Sequence, residues 1–273
     1  FSMMTVPFSC PVCGEALSGE QTVRCPAGHS FDRNKYGYWN LLLSNQSGKK
    51  RHGDDRQMVL SRSQFLEKGY YAPVRQALLE GLQLRTRQGM TILDAGCGEG
   101  WYTAWLDHQL QALQPVTVGV DISRDALRQA AKRGLNHLAV ASTAHIPMAD
   151  GSCDSVLNVF SPEELAEFHR VLAPGGLLIR ALPLEKHLWQ LKTAVYDTPY
   201  ENPAPVTALP GFRLLRRQDV TYSIHLPCQE DIWSLFTMTP YYYKTGRTDQ
   251  EKLQALTTLD TDVAIGVLTY EKV

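Results

Sequence analysis

Twice within residues 91–121 an apolar run ends on an aspartate: Thr91-Ile92-Leu93-Asp94, and then Val116-Thr117-Val118-Gly119-Val120-Asp121. Gly96, Gly98 and Gly100 follow the first run, and helical patterning resumes near Tyr102. Glycines between a buried strand and a helix let the backbone come close to a ligand or a neighbouring element. Strand, glycine turn, helix and second strand open a parallel sheet whose crossover helices cover both faces, so the chain is expected to be α/β. A dinucleotide fingerprint would be G-x-G-x-x-G, with its third glycine at Trp101. A bulky residue there argues against a pyrophosphate seated on the helix start.

The loop reads instead as a cradle for the methionine moiety of S-adenosylmethionine. Asp94 and Glu99 place negative charge where an ammonium or sulfonium can use it, and Asp121 can accept from both hydroxyls of a ribose. Ser142 to Asp154 reads as the loop that covers the adenine, Asp154 to Phe160 as the fourth strand, and Arg170 to Ile179 as a helix end, a turn and the fifth strand. Residues 90–183 thus resemble Rossmann-like S-adenosylmethionine-dependent methyltransferases. The candidate cofactor residues are Asp94, Gly96, Gly98, Glu99, Gly100, Asp121, Ile122 beside it, and Ser142. Ser142 stands where many such enzymes carry an acid. Cys97 reads as a small buried residue and His145 as a loop histidine rather than a base.

A second cluster lies near the start. Cys10, Cys13, Cys25 and His29 follow the pattern C-x2-C, eleven residues, C-x3-H. Two thiolates from a Cys-x-x-Cys turn and a second pair across a short hairpin can close a tetrahedron on zinc. Pro11, Gly14, Pro26 and Gly28 are residues that tight turns use, and residues 21–24 between them have strand character. A redox Cys-x-x-Cys would open a helix after a core strand; this one sits in a Pro/Gly-rich start with no core before it. A module this small needs a staple, and one structural Zn(2+) supplies it.

Of 273 residues, 44% are hydrophobic and 20% charged, as in an ordinary globular protein. Three of the six cysteines fall in the cluster and three are scattered, which fits a reducing cytoplasm better than a disulfide framework. No apolar run is long enough to span a membrane and no signal peptide is visible, so no membrane partner is expected. Phe1-Ser2-Met3-Met4 reads as a cloning scar ahead of a native Met. The net charge of −1 excludes a polycation, though not a local basic surface.

Residues 44–57 are polar and without apolar period, which marks a linker and two domains: a zinc-binding module over 1–45 and a methyltransferase domain over 46–273. Lys49-Lys50-Arg51-His52 is the dense basic run, either a solvated linker or a phosphate contact. In residues 31–40, aromatics interleave with Arg33 and Lys35 and could stack on unpaired bases or pack over the metal site. Helices are expected over about 57–67 and 72–84, then near 184–195. A Pro-rich loop over 198–210, long enough to act as a lid, precedes strands over 212–226 and 263–270.

A narrower resemblance covers nearly the whole chain. Cys-x-x-Cys with Cys-Pro-x-x-His-x-Phe-Asp, the following Gly-Tyr-x-Asn-Leu-Leu, Gly53-Asp54 with Met58, Arg62 and Phe65-Leu66, and Gly69-Tyr70-Tyr71-x-Pro73 resemble the opening of bacterial 23S rRNA (guanine-N1)-methyltransferases. His187-Leu188, Leu191-Lys192 and Met238-Thr239-Pro240 match further on. The resemblance implies a zinc module, S-adenosylmethionine as methyl donor, and a guanine in a hairpin loop of 23S rRNA. It also implies cofactor contacts at Tyr71, Gly98, Glu99 and His187. Asn158 to Pro162 and Tyr241-Tyr242-Tyr243 depart from the family pattern where the base pocket is expected.

The fourth strand lacks the Asn/Asp-Pro-Pro-aromatic motif that orients an exocyclic amine, so ring-nitrogen methylation fits better. The target base must be unstacked to reach the methyl, and Tyr241, Tyr242 and Tyr243 are stacking candidates as well as packing candidates. No residue announces itself as the catalytic base. A homodimer is compatible with the sequence, which does not set the oligomeric state. The alternatives are a small-molecule methyltransferase, disfavoured by the zinc ligands, and a non-catalytic RNA-binding protein with a relic fold, disfavoured by the intact glycine loop and Asp121.

Overall fold

The computed structural model describes residues 5–46 and 56–273. The basic run from Lys49 to His52 lies outside the described residues. Strands β1 (Thr5–Ser9), β2 (Ala16–Gly19), β3 (Thr22–Arg24) and β4 (Ser30–Asp32) form an antiparallel four-stranded sheet. Phe8, Leu17 and Val23 from this sheet are buried against Ile146 and Met148 of the larger domain. The Ser9 N–H donates to the Pro147 carbonyl at 2.8 Å, so a backbone hydrogen bond joins the module to the loop that leads into the strand Cys153–Val159.

The remaining elements, in chain order, are β5 (Trp39–Asn40), α1 (Arg56–Glu67), α2 (Ala72–Leu82), β6 (Thr91–Ala95), α3 (Trp101–Gln109), β7 (Val116–Asp121), α4 (Arg124–Lys132) and β8 (His137–Val140). Then come β9 (Cys153–Val159), α5 (Leu165–Val171), β10 (Leu172–Pro183), α6 (Trp189–Val195), β11 (Phe212–Leu226), α7 (Gln229–Thr237), α8 (Arg247–Gln254) and β12 (Leu259–Lys272). The eight strands order as β11-β12-β10-β9-β6-β7-β8-β5. From β10 to β5 every pairing is parallel, and β12 runs antiparallel to both its neighbours. The chain moves outward from β6 through β7 and β8, then returns to β9 on the other side of β6. That reversal opens a crevice at the strand ends, where such sheets bind ligands.

Central strands read as continuous apolar runs because helices bury both their faces. One face packs Phe65, Leu78, Trp101, Leu191, Leu235 and Leu253 from six helices onto Ile92, Leu157, Ile179 and Val267. On the other, Phe168 and Val171 of α5 meet Leu93, Val156 and Leu178 beside the zinc module. The Ser123 side chain caps α4 by accepting from the Ala126 N–H at 3.2 Å.

Three boundaries differ from the sequence reading. The helix expected from Leu184 starts only at Trp189, because Leu188 is left-handed (φ 55°) and its N–H is drawn to the Asp262 carbonyl at 2.7 Å. Helix α2 stops at Leu82 and β12 runs from Leu259 rather than Val263. Trp39 and Tyr38 are buried, so packing rather than base stacking occupies those rings; Trp39-Asn40 pairs with Ala139-Val140 as the edge of the large sheet.

Candidate active site and metal centre

Two tight turns gather the metal ligands. In the first, the Gly14 N–H donates to the Cys10 carbonyl at 2.8 Å; in the second, the Gly28 N–H donates to the Cys25 carbonyl at 3.0 Å. They bring the ligand atoms of Cys10, Cys13, Cys25 and His29 within 4.8 Å of one another. Cys13 Sγ lies 3.7 Å from Cys25 Sγ, which lies 3.2 Å from His29 Nδ1. Thiolates held about 2.3 Å from a tetrahedral zinc stand roughly 3.8 Å apart, so the donor set and spacing fit that ion. Burial pushes the Cys25 thiol up, but hydrogen bonds, chiefly from the His29 backbone and side chain, outweigh it and hold the group at about 6, the direction a metal-binding thiolate needs.

The large cavity, about 1090 Å³, lies at the strand ends over the crevice. Single small-ligand sites occupy roughly 300–1,000 Å³, so there is room for a cofactor and a second group beside it. Tyr71, Asp94, Gly96, Gly98, Glu99, Asp121, Ile122, Ser142 and His187 all line it. Gly100 does not. It starts α3, and a Cβ there would come within 3.0 Å of Ala130 Cβ and Leu135 Cδ1, so it serves the packing of the loop onto α4.

The glycine loop is fastened to the next strand. The Gly96 and Cys97 N–H groups donate to the Val120 carbonyl at 2.9 and 3.0 Å. Asp121 accepts from the Gly98 N–H through Oδ2 (2.8 Å) and from the Ser123 N–H through Oδ1 (2.9 Å). Gly98 has φ +56°, and a Cβ added there would meet nothing within 4 Å. Its bare backbone fronts open cavity, the space a methionine moiety requires.

Asp94 is 2% exposed, and Oδ2 accepts from Thr103 Oγ1 at 2.6 Å. Its other oxygen, Oδ1, is buried without a partner. Burial first, with the nearby Asp121 charge adding to it, pushes this carboxyl up to about 7 against the opposing Thr103 bond. An unmet carboxylate oxygen in the cavity wall fits the ammonium of S-adenosylmethionine. Glu99 also lines the wall, but its charge is already met: Arg133 donates to Oε2 from Nη2 at 2.6 Å and from Nε at 2.9 Å. Arg133 extends the network to Ser63 and Glu67 of α1.

His187 is held by a backbone group. The Ala264 N–H donates to its Nδ1 at 3.0 Å, so its ring proton is on Nε2. Burial, helped by the Lys192 charge, lowers its pKa to about 3, and the imidazole is neutral. Ile122, 39% exposed, offers an apolar surface, and Ser142 Oγ accepts from the Ala144 N–H at 3.2 Å.

Beyond the candidate cofactor residues the cavity is walled by the segment that departs from the family pattern. Asn158 Nδ2 donates to Ser161 Oγ (2.7 Å) and to the Pro162 carbonyl (3.0 Å), and Ser161 Oγ donates to the Ala95 carbonyl at 2.8 Å. Phe160, in this knot, is left-handed (φ 51°) and 45% exposed, a strained placement of the kind concentrated at functional sites. The tyrosine triplet divides. Tyr241 is buried in the wall with its hydroxyl on Asn202 Oδ1 (2.7 Å), Tyr242 packs on Trp233 and Phe236, and Tyr243 is 55% exposed in the lining. Lys192, fully buried, holds the long loop by donating to the Tyr200 carbonyl (2.9 Å) and Asn202 Oδ1 (3.0 Å). His145 is exposed and Cys97 buried, as expected.

Sequence reasoning missed Glu163, Arg180 and Lys244 in the lining, and it named Arg62 within the family motif without giving it a place in the site. Arg180 had a legible signal, as the lone charge inside the apolar run 177–183; Glu163 and Lys244 had none.

Comparison with known proteins follows the same division. Residues 93–180 match a methyltransferase domain family, and residues 8–50 match the family described as RlmA, N-terminal. The chain is 31% identical to a putative 23S rRNA (guanine-N(1)-)-methyltransferase, YxjB, of Bacillus subtilis (strain 168), across 95% of this chain and 96% of that one. It is 37% identical to a putative 23S rRNA (guanine-N(1)-)-methyltransferase of Micromonospora griseorubida over 67% of each chain. To the 23S rRNA (guanine(748)-N(1))-methyltransferase of Streptomyces fradiae it is 32% identical, over 68% of this chain and 66% of that one.

Proposed function

The chain belongs to the family of 23S rRNA (guanine-N1)-methyltransferases, and on that premise we infer that it methylates N1 of a guanine in a hairpin loop of 23S rRNA. It is an S-adenosylmethionine-dependent methyltransferase with a structural zinc site. The observation that carries the reading is the single cavity in which Asp94 Oδ1, the open backbone at Gly98 and the Asp121 carboxylate occupy one wall, with further space beyond them.

S-adenosylmethionine supplies an electrophilic methyl on a sulfonium. The protein's part is to bind, orient and exclude water. Asp94 takes the ammonium, Asp121 the ribose, and Ile122 and Ser142 the adenine side, with Tyr71, Gly96, Gly98 and neutral His187 around the methionine. Glu99 keeps the loop rigid through Arg133, and Gly100 lets it pack. Holding nucleophile, methyl and sulfur in line supplies much of the acceleration. The zinc module over 1–45 and the methyltransferase domain over 46–273 form the two working parts, with Trp39-Asn40 lent by the first to the sheet of the second. The module and Lys49-Lys50-Arg51 hold the hairpin, and the 198–210 loop closes over it.

No described helix is long and apolar enough to cross a membrane, and we place the reaction in the cytoplasm with the rRNA. A homodimer is compatible with this reading; sedimentation returning a 30.6-kDa species would exclude it. The test of function is mass mapping of 23S rRNA from a deletion strain, with and without complementation. One N1-methylguanine should vanish and return, and an unchanged map would overturn the reading.

A further inference from the structure

Arg180 is an unexplained expense in the structure. It lies in β10 beside Asn158 of β9, is 9% exposed, and lines the cavity. Its Nη2 reaches Glu163 Oε2 at 3.4 Å, yet Nε and Nη1 are buried with no partner. The Tyr270 hydroxyl donates its proton to the Thr207 carbonyl at 2.7 Å and turns its oxygen to the guanidinium as an acceptor, and even so neither Nε nor Nη1 has a partner in hydrogen-bonding geometry. A buried guanidinium with idle donors is costly and calls for an acceptor that arrives with a ligand. Glu163, 43% exposed, sits beside it on the same cavity.

Together the pair presents N–H donors next to a carboxylate acceptor. The pairing edge of guanine presents the complement, O6 as acceptor next to N1–H as donor. Adenine presents the reverse, an amino donor and a bare N1, and would set donor against donor and lone pair against carboxylate. Resting on the reading of the protein as a guanine-N1 methyltransferase, we propose that Arg180 and Glu163 read this edge and drive the loss of the N1 proton.

Arg180 donates to O6 and Glu163 accepts the proton from N1, becoming a neutral acid. The electron pair left on N1, shared with O6, is stabilised there by the guanidinium. That pair forms the N1–C bond as the methyl carbon's bond to sulfur breaks. The bonding electrons stay on sulfur, which leaves as a neutral thioether, and Glu163 later returns its proton to solvent. The positive charge of the sulfonium and the negative charge of the carboxylate cancel, so the step balances.

The experiment uses the full zinc-loaded protein and a synthetic 23S rRNA hairpin containing the target guanine. Glu163→Gln should lower kcat by roughly 10²-fold or more, and Arg180→Ala by roughly 10²–10³-fold, with S-adenosylmethionine affinity within threefold by calorimetry. With Arg180→Ala or Glu163→Gln, kcat should climb roughly tenfold per pH unit as solution deprotonates N1, where the wild type is flatter; a merely structural lesion would not steepen this profile. Arg180→Lys should recover part of the Ala loss. Variants that turn over within threefold of wild type with its pH profile would overturn the proposal. If Arg180→Ala fails to bind cofactor, the wild type is assayed on a hairpin whose target guanine carries sulfur in place of O6. A loss of at least tenfold supports the contact, and a rate within threefold overturns it. A wild type inactive on the hairpin and on 23S rRNA would instead overturn the function on which the pair rests.

Discussion

The Gly98 N–H donates to Asp121 Oδ2 at 2.8 Å, tying the loop after β6 to the end of β7. Asp121 therefore shapes the cavity wall as well as lining it, since Oδ1 also accepts from the Ser123 N–H. Asp121→Ala should weaken S-adenosylmethionine binding by at least about tenfold and should also destabilise the apo protein by about 1–3 kcal/mol, because two backbone donors lose a charged acceptor. Calorimetric titration and a scanning unfolding curve check both; a variant with unchanged Tm would show that the loop holds itself.

Asp94 gives the site a pH dependence. Its carboxyl is raised by burial from 3.8 to about 7, so the folded apo protein binds more protons than the unfolded chain between those values, and stability falls as pH rises through that window. A cationic ligand favours the ionised form, so affinity should drop below about pH 7 and binding near pH 7 should release a proton. Asp94→Asn should abolish that part of the proton release, weaken affinity, and raise apo stability at pH 8 by roughly 1–4 kcal/mol. Titrations in buffers of different ionisation enthalpy that give the same proton count for both proteins would refute this.

Zinc analysis should return one ion per chain, lost in a Cys10→Ala/Cys25→Ala double variant. Phe8, Leu17 and Val23 pack on Ile146 and Met148, so losing the metal should expose a face of the larger domain as well as unfolding the small sheet. A chelator should lower the unfolding temperature of the methyltransferase domain while leaving cofactor binding partly intact. A metal-free protein with a native melting curve would contradict the interdependence.

Lys192 ties the long loop to the cavity wall through Tyr200 and Asn202. Lys192→Met keeps the volume and removes the buried charge, which is often close to neutral for global stability. The loop should then be cut faster by protease within residues 196–211, and KM for RNA should rise several-fold with Tm nearly unchanged. Unaltered cleavage would show that the loop is fixed by its other contacts.

The cofactor half of the site was legible because its chemistry is local. Strand, glycine turn and acid fall within about 25–30 residues, the span of one supersecondary unit, and Asp94, Gly96, Gly98 and Asp121 meet in the structure as expected. The ligands Cys10, Cys13, Cys25 and His29 were legible for the same reason. Helix α6 was misjudged because its start depends on Asp262, far away in sequence, which captures the Leu188 N–H. The partner of Glu99 was likewise out of reach, since Arg133 meets it only through the packing of α4 on the loop.

The sequence by itself determined the α/β class, the Cys3His cluster, the glycine loop and the family, because each is written in short-range spacing of glycine, acid, cysteine and apolar residues. Tertiary structure alone decided that Trp39 belongs to the large sheet, that Glu99 is neutralised, that His187 is a neutral donor, and that Arg180 stands buried with donors unmet. Those properties come from which groups burial brings together and what it leaves unpaired. Charge state and hydrogen-bond satisfaction are set by neighbours from distant parts of the chain, which local spacing does not encode.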